Sequence, residues 1–594
     1  MPYTAGMPRR IELSLLLAIL LIAAFFRFHL ITELPPGLYP DEAVNGNNAL
    51  EAIRNFDSST FRHSVKVFYP ENNGREGLFI NLQAVAIKFL GSEPWVLRMV
   101  SAVFGTLTVF GLYLLAKELF RPNPKPEALN PTQALNPNDQ NRAPFRNSGF
   151  GFRVSRGESI ALLSSFLLAT SFWHINFSRI GFRAVMVPFF AVFALYWLFK
   201  AIRTGKLSSA VAGGIVSGLG FHSYIAFRFM PFVMAVPVGM ALAQWRNARR
   251  SPSASSGTDT RPRLPCLPCV TAVGLLAAII VALPIGLYFL QHPADFFGRG
   301  NQVSIFSAAS PSKEFVKSTA LTLGMFNLRG DCNARHNLAC QPQLFWPLGL
   351  LFLIGAAHTI RALFRKPVSP VPYTLSAWFA MLMLPAVLTR EGLPHALRSI
   401  GLIPPVMILA AIGAGELWRT VTGYLEAALA NPRYAPYRSQ LRRIKGELAV
   451  AAILVLVWIP AATYRDYFMR FAVAPATADA FAADLLKQGR YLARLPDDVQ
   501  KFVVVNLSGD DIRGLPAPAQ TIMFATDTFD ASRRRARNLT YVTRAEDITA
   551  HPGASIAIIL MSPRDRAAAA ALKRRFPDLR LQVRGDVLVF ERFQ

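Results

Sequence analysis

Leu38-Tyr39-Pro40-Asp41-Glu42-Ala43-Val44-Asn45-Gly46 opens the stretch on which the reading of this chain turns, and Asn72-Asn73-Gly74-Arg75-Glu76-Gly77-Leu78-Phe79 closes it. It directly follows the first apolar run and carries adjacent carboxylates at one end and an Arg-Glu pair at the other. From Pro40 a helical pattern runs to about Arg54, and Asp41, Asn45 and Asn48, spaced i, i+4, i+7, share one face of it. Two uses of Asp41 fit that position. As an N-cap it satisfies free backbone N–H groups and the helix dipole. As a chemical group it takes a proton from a hydroxyl or holds a divalent cation. The two are compatible, because a helix end also fixes a carboxylate in place.

Outward from this loop the chain is membrane scaffold. Hydrophobic residues make up 52% of the 594 positions and charged residues 17%, a balance unlike that of soluble domains. Apolar runs close to the length that crosses a bilayer core of ~30 Å recur as far as residue 465. The spans read as about 11–31, 96–116, 158–178, 184–200, 207–224, 227–245, 268–290, 344–362, 371–389, 398–418 and 447–464, giving about eleven crossings. Gly77 to Leu90 is apolar but short and reads as an interfacial helix. Arg27, near the outer end of the first span, is expected to snorkel to the interface. The first run is long for a signal peptide and lacks a small-residue cleavage site, so it reads as a retained anchor.

The formal charge of +27 follows the membrane rather than a phosphate-binding face. Lys and Arg concentrate in alternate loops, including 1–10, a Pro/Asn-rich linker at 117–157 and 419–445. Under the positive-inside rule this puts the amino terminus and that linker in the cytoplasm and the 32–76 loop outside. Counting 77–90 as a crossing reverses that order and leaves the most basic linkers outside. No nucleic-acid-binding signature accompanies the charge. Cys266 and Cys269 form a lone Cys-Leu-Pro-Cys without a second pair, which reads as structural or neutral. Cys332 and Cys340 lie in an outer loop, where a local disulfide and two free thiols are both compatible with the sequence.

From residue 465 to 594 the composition is that of a soluble α/β domain placed on the same side as the 32–76 loop. Phe502-Val503-Val504-Val505, Ser555 to Leu560 and Val587 to Phe590 read as strands, and Ala480 to Leu492 and Arg564 to Phe576 as helices. The Arg533-Arg534-Arg535 run reads as a solvated face, with contact to anionic lipid as the alternative. No Walker loop, dinucleotide fingerprint or internal repeat is found.

The order of several motifs resembles the GT-C membrane glycosyltransferases, in particular the family 39, protein mannosyltransferase and aminoarabinose transferase group. They are the early Asp41-Glu42 after the first span, Gly74-Arg75-Glu76-Gly77-Leu78 before a short helix, and Trp95-Val96-Leu97-Arg98-Met99-Val100-Ser101. Later come Phe177-Ser178-Arg179-Ile180-Gly181-Phe182-Arg183, Gly330-Asp331-Cys332-Asn333-Ala334-Arg335-His336-Asn337 and Pro394-His395-Ala396-Leu397-Arg398. The resemblance covers roughly residues 10–465. One departure is that Gly74-Arg75-Glu76-Gly77 stands where many relatives carry Pro-Pro after a His or Lys.

The resemblance implies that the α-helical polytopic domain over 1–464 is GT-C-like; the α/β domain over 465–594, expected to be extracytoplasmic, is read from composition and pattern. The resemblance also implies inverting transfer of a sugar from a polyprenyl-phosphate donor to a hydroxyl or amine of a lipid, glycan or protein. Asp41, with Glu42 beside it, is then the catalytic carboxylate. Arg75, Glu76, Arg98, Arg179, Arg183, His395 and Arg398 are candidates for the donor phosphate and sugar, the arginines alternatively being interfacial anchors. Glu76 alternatively orients Arg75. His222, Tyr224 and Arg228 are candidates to line the groove for the lipid tail. Asp331, Arg335 and His336 either touch the acceptor or fold their loop. A divalent cation, magnesium or manganese, is compatible with the chemistry, with Asp41 as its candidate ligand, and the sequence leaves open whether one binds. The competing classes are a flippase for lipid-linked glycans and a binder without turnover. The candidate polar residues cluster at one membrane face and the halves look dissimilar, which favours the enzyme.

Overall fold

The computed structural model describes residues 7–55, 65–121, 156–250, 266–297, 304–551 and 553–593. Positions 122–155 of the expected 117–157 linker lie outside the described residues. Among those described, nine helices are long and apolar enough to cross a membrane, from Arg9–Phe28 to Pro432–Phe471. The shorter apolar helices Gly157–Ala169 and Leu207–Gly220 occupy two further expected spans. Nine of the eleven expected spans are thus helices of crossing length among the described residues, whereas 158–178 and 207–224 hold helices no longer than Gly77–Leu90. Gly77–Leu90 stays short, at 14 residues, or ~21 Å. The last two long helices exceed their sequence bounds: Ile400–Ala430 and Pro432–Phe471 are 31 and 40 residues long.

Local chemistry sets many of the ends. Proline stands in the first turn of Pro94–Leu119, Trp346–Leu363 and Pro370–Val387, where its missing N–H costs nothing. Gly205, at φ 66°, closes Met186–Thr204 in the left-handed conformation that glycine adopts without strain. In a bilayer, helices gain from close backbone approach rather than from apolar burial alone. Trp346–Leu363 and Ile403–Ala430 accordingly cross through glycines. A Cβ on Gly355 would stand 1.7 Å from the Leu409 carbonyl, and one on Gly413 1.9 Å from that of Leu351.

Arg27 does not snorkel. It is fully buried and donates to the carbonyls of Ala23, Leu168 and Ala169, with His174 Nδ1 at 2.6 Å. Leu168 and Ala169 end the helix Arg156–Ala169, whose last carbonyls have no partner in their own helix. A cation there caps a neighbour's C-terminus and meets the negative end of its dipole, which replaces the water it would otherwise seek.

The carboxy-terminal region holds a five-stranded sheet in the order Leu539–Val542, Gln500–Val504, Ile556–Leu560, Val587–Arg592, Arg580–Arg584. The first three strands are parallel and the last two antiparallel. Alternate residues serve opposite faces. Val503, Ala557 and Ile559 pack with Leu485, Leu492 and Ile522, whereas Phe502, Val504 and Ile558 pack with Leu572 and Phe590. The strands Leu539–Val542 and Arg580–Arg584 go unrecognised in sequence because they form the sheet edges and carry polar or charged residues there.

This sheet domain sits on the 38–76 loop. Leu486 and Phe524 join Leu38, Ala43, Leu50, Tyr69 and Leu97 in one buried cluster. A Cβ on Gly46 would lie 2.5 Å from the Phe524 ring. Polar contacts ring the patch: Thr521 Oγ1 donates to Leu38 O (3.0 Å), Asn47 Nδ2 to Gln520 Oε1 (3.0 Å), and Arg513 to Glu51 and Glu71 (2.9 and 2.7 Å). Arg54 pairs with Asp527 and Asp530, and Arg533 with Asp527. The first arginine of the Arg533 run is thus tied into this margin.

The glycine crossing gives a direct test. Gly413→Val is expected to lower stability by roughly 1–3 kcal/mol as an overpacked contact, read as a lower unfolding midpoint in detergent. Gly415→Ala, where nothing lies within 4 Å, should leave the midpoint unchanged or raise it. Equal midpoints for both variants would contradict the packing described.

Candidate active site

The helix Pro40–Arg54 begins with Tyr39 as its N-cap. Asp41, expected to cap this helix, instead occupies its second turn-forming position. The capping task falls to Glu42, whose Oε2 accepts the Tyr39 N–H at 3.3 Å. The face read from spacing does form, and it is turned towards the segment 70–76. Asn72 Nδ2 donates to Asp41 Oδ1 (2.9 Å), and Arg75 donates to Asn45 Oδ1 and Asn48 Oδ1 (2.7 and 2.6 Å). Asn72 is the partner that the sequence reading missed. Its signal was the Asn72-Asn73-Gly74 run, three residues of positive φ (52°, 63°, 78°), a turn composition that folds Asn72 back over the helix start.

Glu42 is not placed to do chemistry. It is fully buried, with Oε1 accepting from Arg98 Nε (3.0 Å) and the Gly181 N–H (2.7 Å) and Oε2 from Arg98 Nη2 (3.1 Å). Arg98, expected at the donor phosphate, is spent on this carboxylate and on the carbonyls of Pro35 and Gly37. Arg179 is likewise buried, donating to Phe26 O and Leu34 O (3.0 Å each) beside the rings of Tyr467 and Phe468. Arg75 is buried against its asparagines, with Glu71 at 3.8 Å. Burial pushes the Arg75 guanidinium down to about 10, with the Arg183 charge adding and Glu71 and Asp41 opposing. It stays a cation at neutral pH. These three arginines fasten the loop rather than face a ligand, because loop carbonyls and amide oxygens offered acceptors that the sequence pattern does not display.

Two other arginines remain partly open to solvent. Arg183 Nε donates to Glu76 Oε2 (2.7 Å) and its Nη2 to Gly74 O (3.1 Å), with the guanidinium over the Tyr224 ring at 5.3 Å. Arg228 lies 3.9 Å from Glu76 Oε1 and donates to Phe296 O at 3.0 Å. Their side chains are 14% and 19% exposed, against 4% for Glu76. Glu76 therefore orients Arg183 and Arg228, not Arg75, and one carboxylate holds two cations.

Nearby is an apolar cavity of about 640 Å³. Its lining runs along Leu207–Gly220 from Ser209 to Phe221 and includes Phe227, Ala278 and Gly286. His222, Tyr224 and Arg228, expected to line the groove, do not line this cavity. His222 Nε2 meets Val281 O (3.0 Å) and so ties two helices together, while Tyr224 and Arg228 flank Phe227 at the cavity's end.

His395 and Arg398 lie in a separate neighbourhood. Arg398 Nη1 donates to Thr389 Oγ1 and Glu391 O (2.8 Å each). The His395 ring stands 5.0 Å from that of His336, whose Nδ1 meets Asp331 Oδ2 at 2.8 Å. Burial pushes the His336 imidazole below its usual range, despite Asp331, so it is neutral at pH 7. This loop is closed by a Cys332–Cys340 disulfide, and Cys266 is bonded to Cys269. The loop touches the site through Arg335, which stacks over the Tyr39 ring at 3.8 Å.

No protein-family model matches the chain, and no curated protein matches it in sequence. Its fold is that of the GT-C membrane glycosyltransferases. It is similar to ArnT from Cupriavidus metallidurans bound to undecaprenyl phosphate, with a TM-score of 0.52 and 14% identity over 98% of both chains. Against apo ArnT the TM-score is 0.50 at 14% identity, over 98% of this chain and 97% of that one. The Archaeoglobus fulgidus oligosaccharyltransferase tethered with an acceptor peptide gives 0.44 and 16%, over 87% and 63%. The likeness is one of fold.

Glu42→Gln would leave Arg98 charged in a buried site, a loss that typically costs about 3–5 kcal/mol. The expected outcome is a clear fall in the unfolding midpoint, partly recovered by Glu42→Gln with Arg98→Met, in which the unpaired charge is gone. A midpoint unchanged by Glu42→Gln would contradict the positioning role.

Proposed function

We propose that the chain is a glycosyltransferase that moves a sugar from a polyprenyl-phosphate donor to a hydroxyl or amine acceptor, with inversion at the anomeric carbon. The observation that carries this reading is an arrangement of charge beside an apolar cavity. The half-buried Arg183 and Arg228, held by Glu76, stand at the end of a cavity that suits a lipid tail. Arg75 feels the charge of both Arg183 and Asp41.

In the proposed step the acceptor gives its proton to the Asp41 carboxylate as its oxygen or nitrogen attacks the anomeric carbon. The bond from that carbon to the phosphate oxygen breaks, and the electron pair stays on the lipid phosphate. Arg183 and Arg228 face the charge that grows there. Asn72 orients Asp41 by donating to its Oδ1. The neighbours of Asp41 are an amide NH₂ and a guanidinium, a poor donor set for the magnesium or manganese ion that the sequence reading allowed, since such ions take oxygen ligands. No step is assigned to a cation at Asp41.

The distribution of Lys and Arg supports a cytoplasmic amino terminus and an extracytoplasmic site and sheet domain. The docking of that domain on the Pro40–Arg54 helix supports a role in roofing the site or selecting the acceptor, and the proposed boundary is near residue 465.

The test is turnover by purified protein in nanodiscs, offered a panel of polyprenyl-phosphate monosaccharides with candidate acceptors. Wild type should release lipid phosphate. Asp41→Asn should lower the rate ~10²–10⁴-fold, the usual worth of a general base. Arg183→Gln and Arg228→Gln should each cost ~10²-fold or more if they face the departing phosphate. Release that survives Asp41→Asn would overturn the catalytic assignment. Donor binding without release across the panel would favour the flippase or the binder.

A further inference from the structure

The loop 330–341 brings together groups that the proposed transfer does not use. Asp331 and His336 come from this loop and His395 from a segment almost sixty residues later, yet their ligand atoms all lie within 4.8 Å of one another. Asp331 and His336 are buried and His395 is half-buried. We propose that Asp331, His336 and His395 form a binding site for a divalent transition metal of the zinc class.

The geometry is already close to that of a metal centre. Nitrogen and oxygen ligands 2.0–2.2 Å from a tetrahedral zinc stand ~3.3–3.5 Å from each other, so rotation of the side chains by small amounts closes the set. The second shell is in place. Asp331 Oδ2 accepts the Ala396 N–H (2.8 Å), which ties the carboxylate to the residue after His395. Its Oδ1 accepts the Asn333 N–H (2.8 Å), and a carboxylate oxygen accepts more than one partner. His336 Nδ1 meets Asp331 Oδ2. With the proton on Nε2, the Nδ1 lone pair and that carboxylate oxygen face each other across 2.8 Å, so an ion entering between them meets both. Neighbouring elements hold the ligands. The Phe177 ring lies 5.4 Å from that of His336, and Asn176 Nδ2 donates to Arg335 O at 2.8 Å. The disulfide Cys332–Cys340 closes the same loop.

Two imidazoles and one carboxylate select zinc, cobalt or similar ions over magnesium and calcium, which take all-oxygen sets. The bound ion would pin the loop 330–341 to the segment 394–398. Arg335 would then be held over the Tyr39 ring at the start of the Asp41 helix. This site is separate in residues from Asp41 and does not depend on the glycosyltransferase reading.

The experiment is metal uptake by the full-length protein with its affinity tag removed, stripped with a chelator and titrated with Zn²⁺ and Co²⁺. Wild type should take up one ion per chain, measured by elemental analysis, and Co²⁺ should give the visible absorption of a four-coordinate site. His336→Gln and His395→Gln should each bind at least ~10-fold more weakly, while the exposed His292→Gln should bind as wild type. Zn²⁺ should raise the unfolding midpoint of wild type and not of the two ligand variants. Uptake by wild type well below one ion per chain overturns the proposal, as does binding that both ligand variants retain. Neither result bears on donor turnover, so this site and the transfer reaction stand or fall separately.

Discussion

The ion pair between Glu42 and Arg98 is the constraint on which the site depends. Both side chains are essentially without solvent, and an ion pair taken out of water is stable only when its remaining hydrogen-bonding capacity is met. Here it is met by parts of the chain that must be brought together. The Gly181 N–H completes the carboxylate, and the carbonyls of Pro35 and Gly37 complete the guanidinium. One pair thereby fixes the first span's exit, the start of the Asp41 helix, the Pro94–Leu119 helix and the turn before Arg183. Asp41 is adjacent in sequence to the residue that is locked, and on the helix it projects in a different direction. The fixed neighbour explains how the Asp41 carboxylate, held by Asn72, stays in register with distant cations.

Around this anchor, arginines divide by what they find to bind. Arg27, Arg98 and Arg179 meet backbone carbonyls that their own segments leave without partners, and Arg75 meets two amide oxygens. Their charge is absorbed by the scaffold. Arg183 and Arg228 share the single carboxylate of Glu76 and keep part of their surface open. An unequal ratio of cation to anion at a cavity's end is a standing attraction for a phosphate, whereas balanced, buried pairs offer none. The sheet domain closes the opposite flank by seating Phe524 against Gly46, so loop, cavity and domain converge on one end of the bundle.

The sequence was most legible where length and period decide. Nine expected spans are helices of crossing length because apolar runs of bilayer length have few alternatives. The Asp41, Asn45, Asn48 face formed because three residues at i, i+4 and i+7 must share a side. What stayed hidden was the identity of partners. Arg98 and Arg183 look alike on paper, both near the outer end of a span, but one meets Glu42 inside and the other meets Glu76 near the surface. Nothing in local pattern distinguishes them. The convergence of Asp331 and His336 with His395 depends on how the 330–341 loop folds across the bundle, and no periodicity reports such a contact. The edge strand Arg580–Arg584 was unreadable for a simpler reason, since its alternating apolar residues are solvent-facing and interrupted by charge.

In the proposed complex, Arg183 and Arg228 receive the donor's phosphate while the cavity along Leu207–Gly220 takes its tail. The most direct measurement is an electron cryomicroscopy structure of the protein in nanodiscs with a polyprenyl phosphate bound. The account expects phosphate density within about 3 Å of both guanidinium groups, with the chain's first isoprene units running towards Phe221 and Phe227. Phosphate density at Arg398 and His395, with the Arg183–Glu76–Arg228 cluster undisturbed, would contradict it.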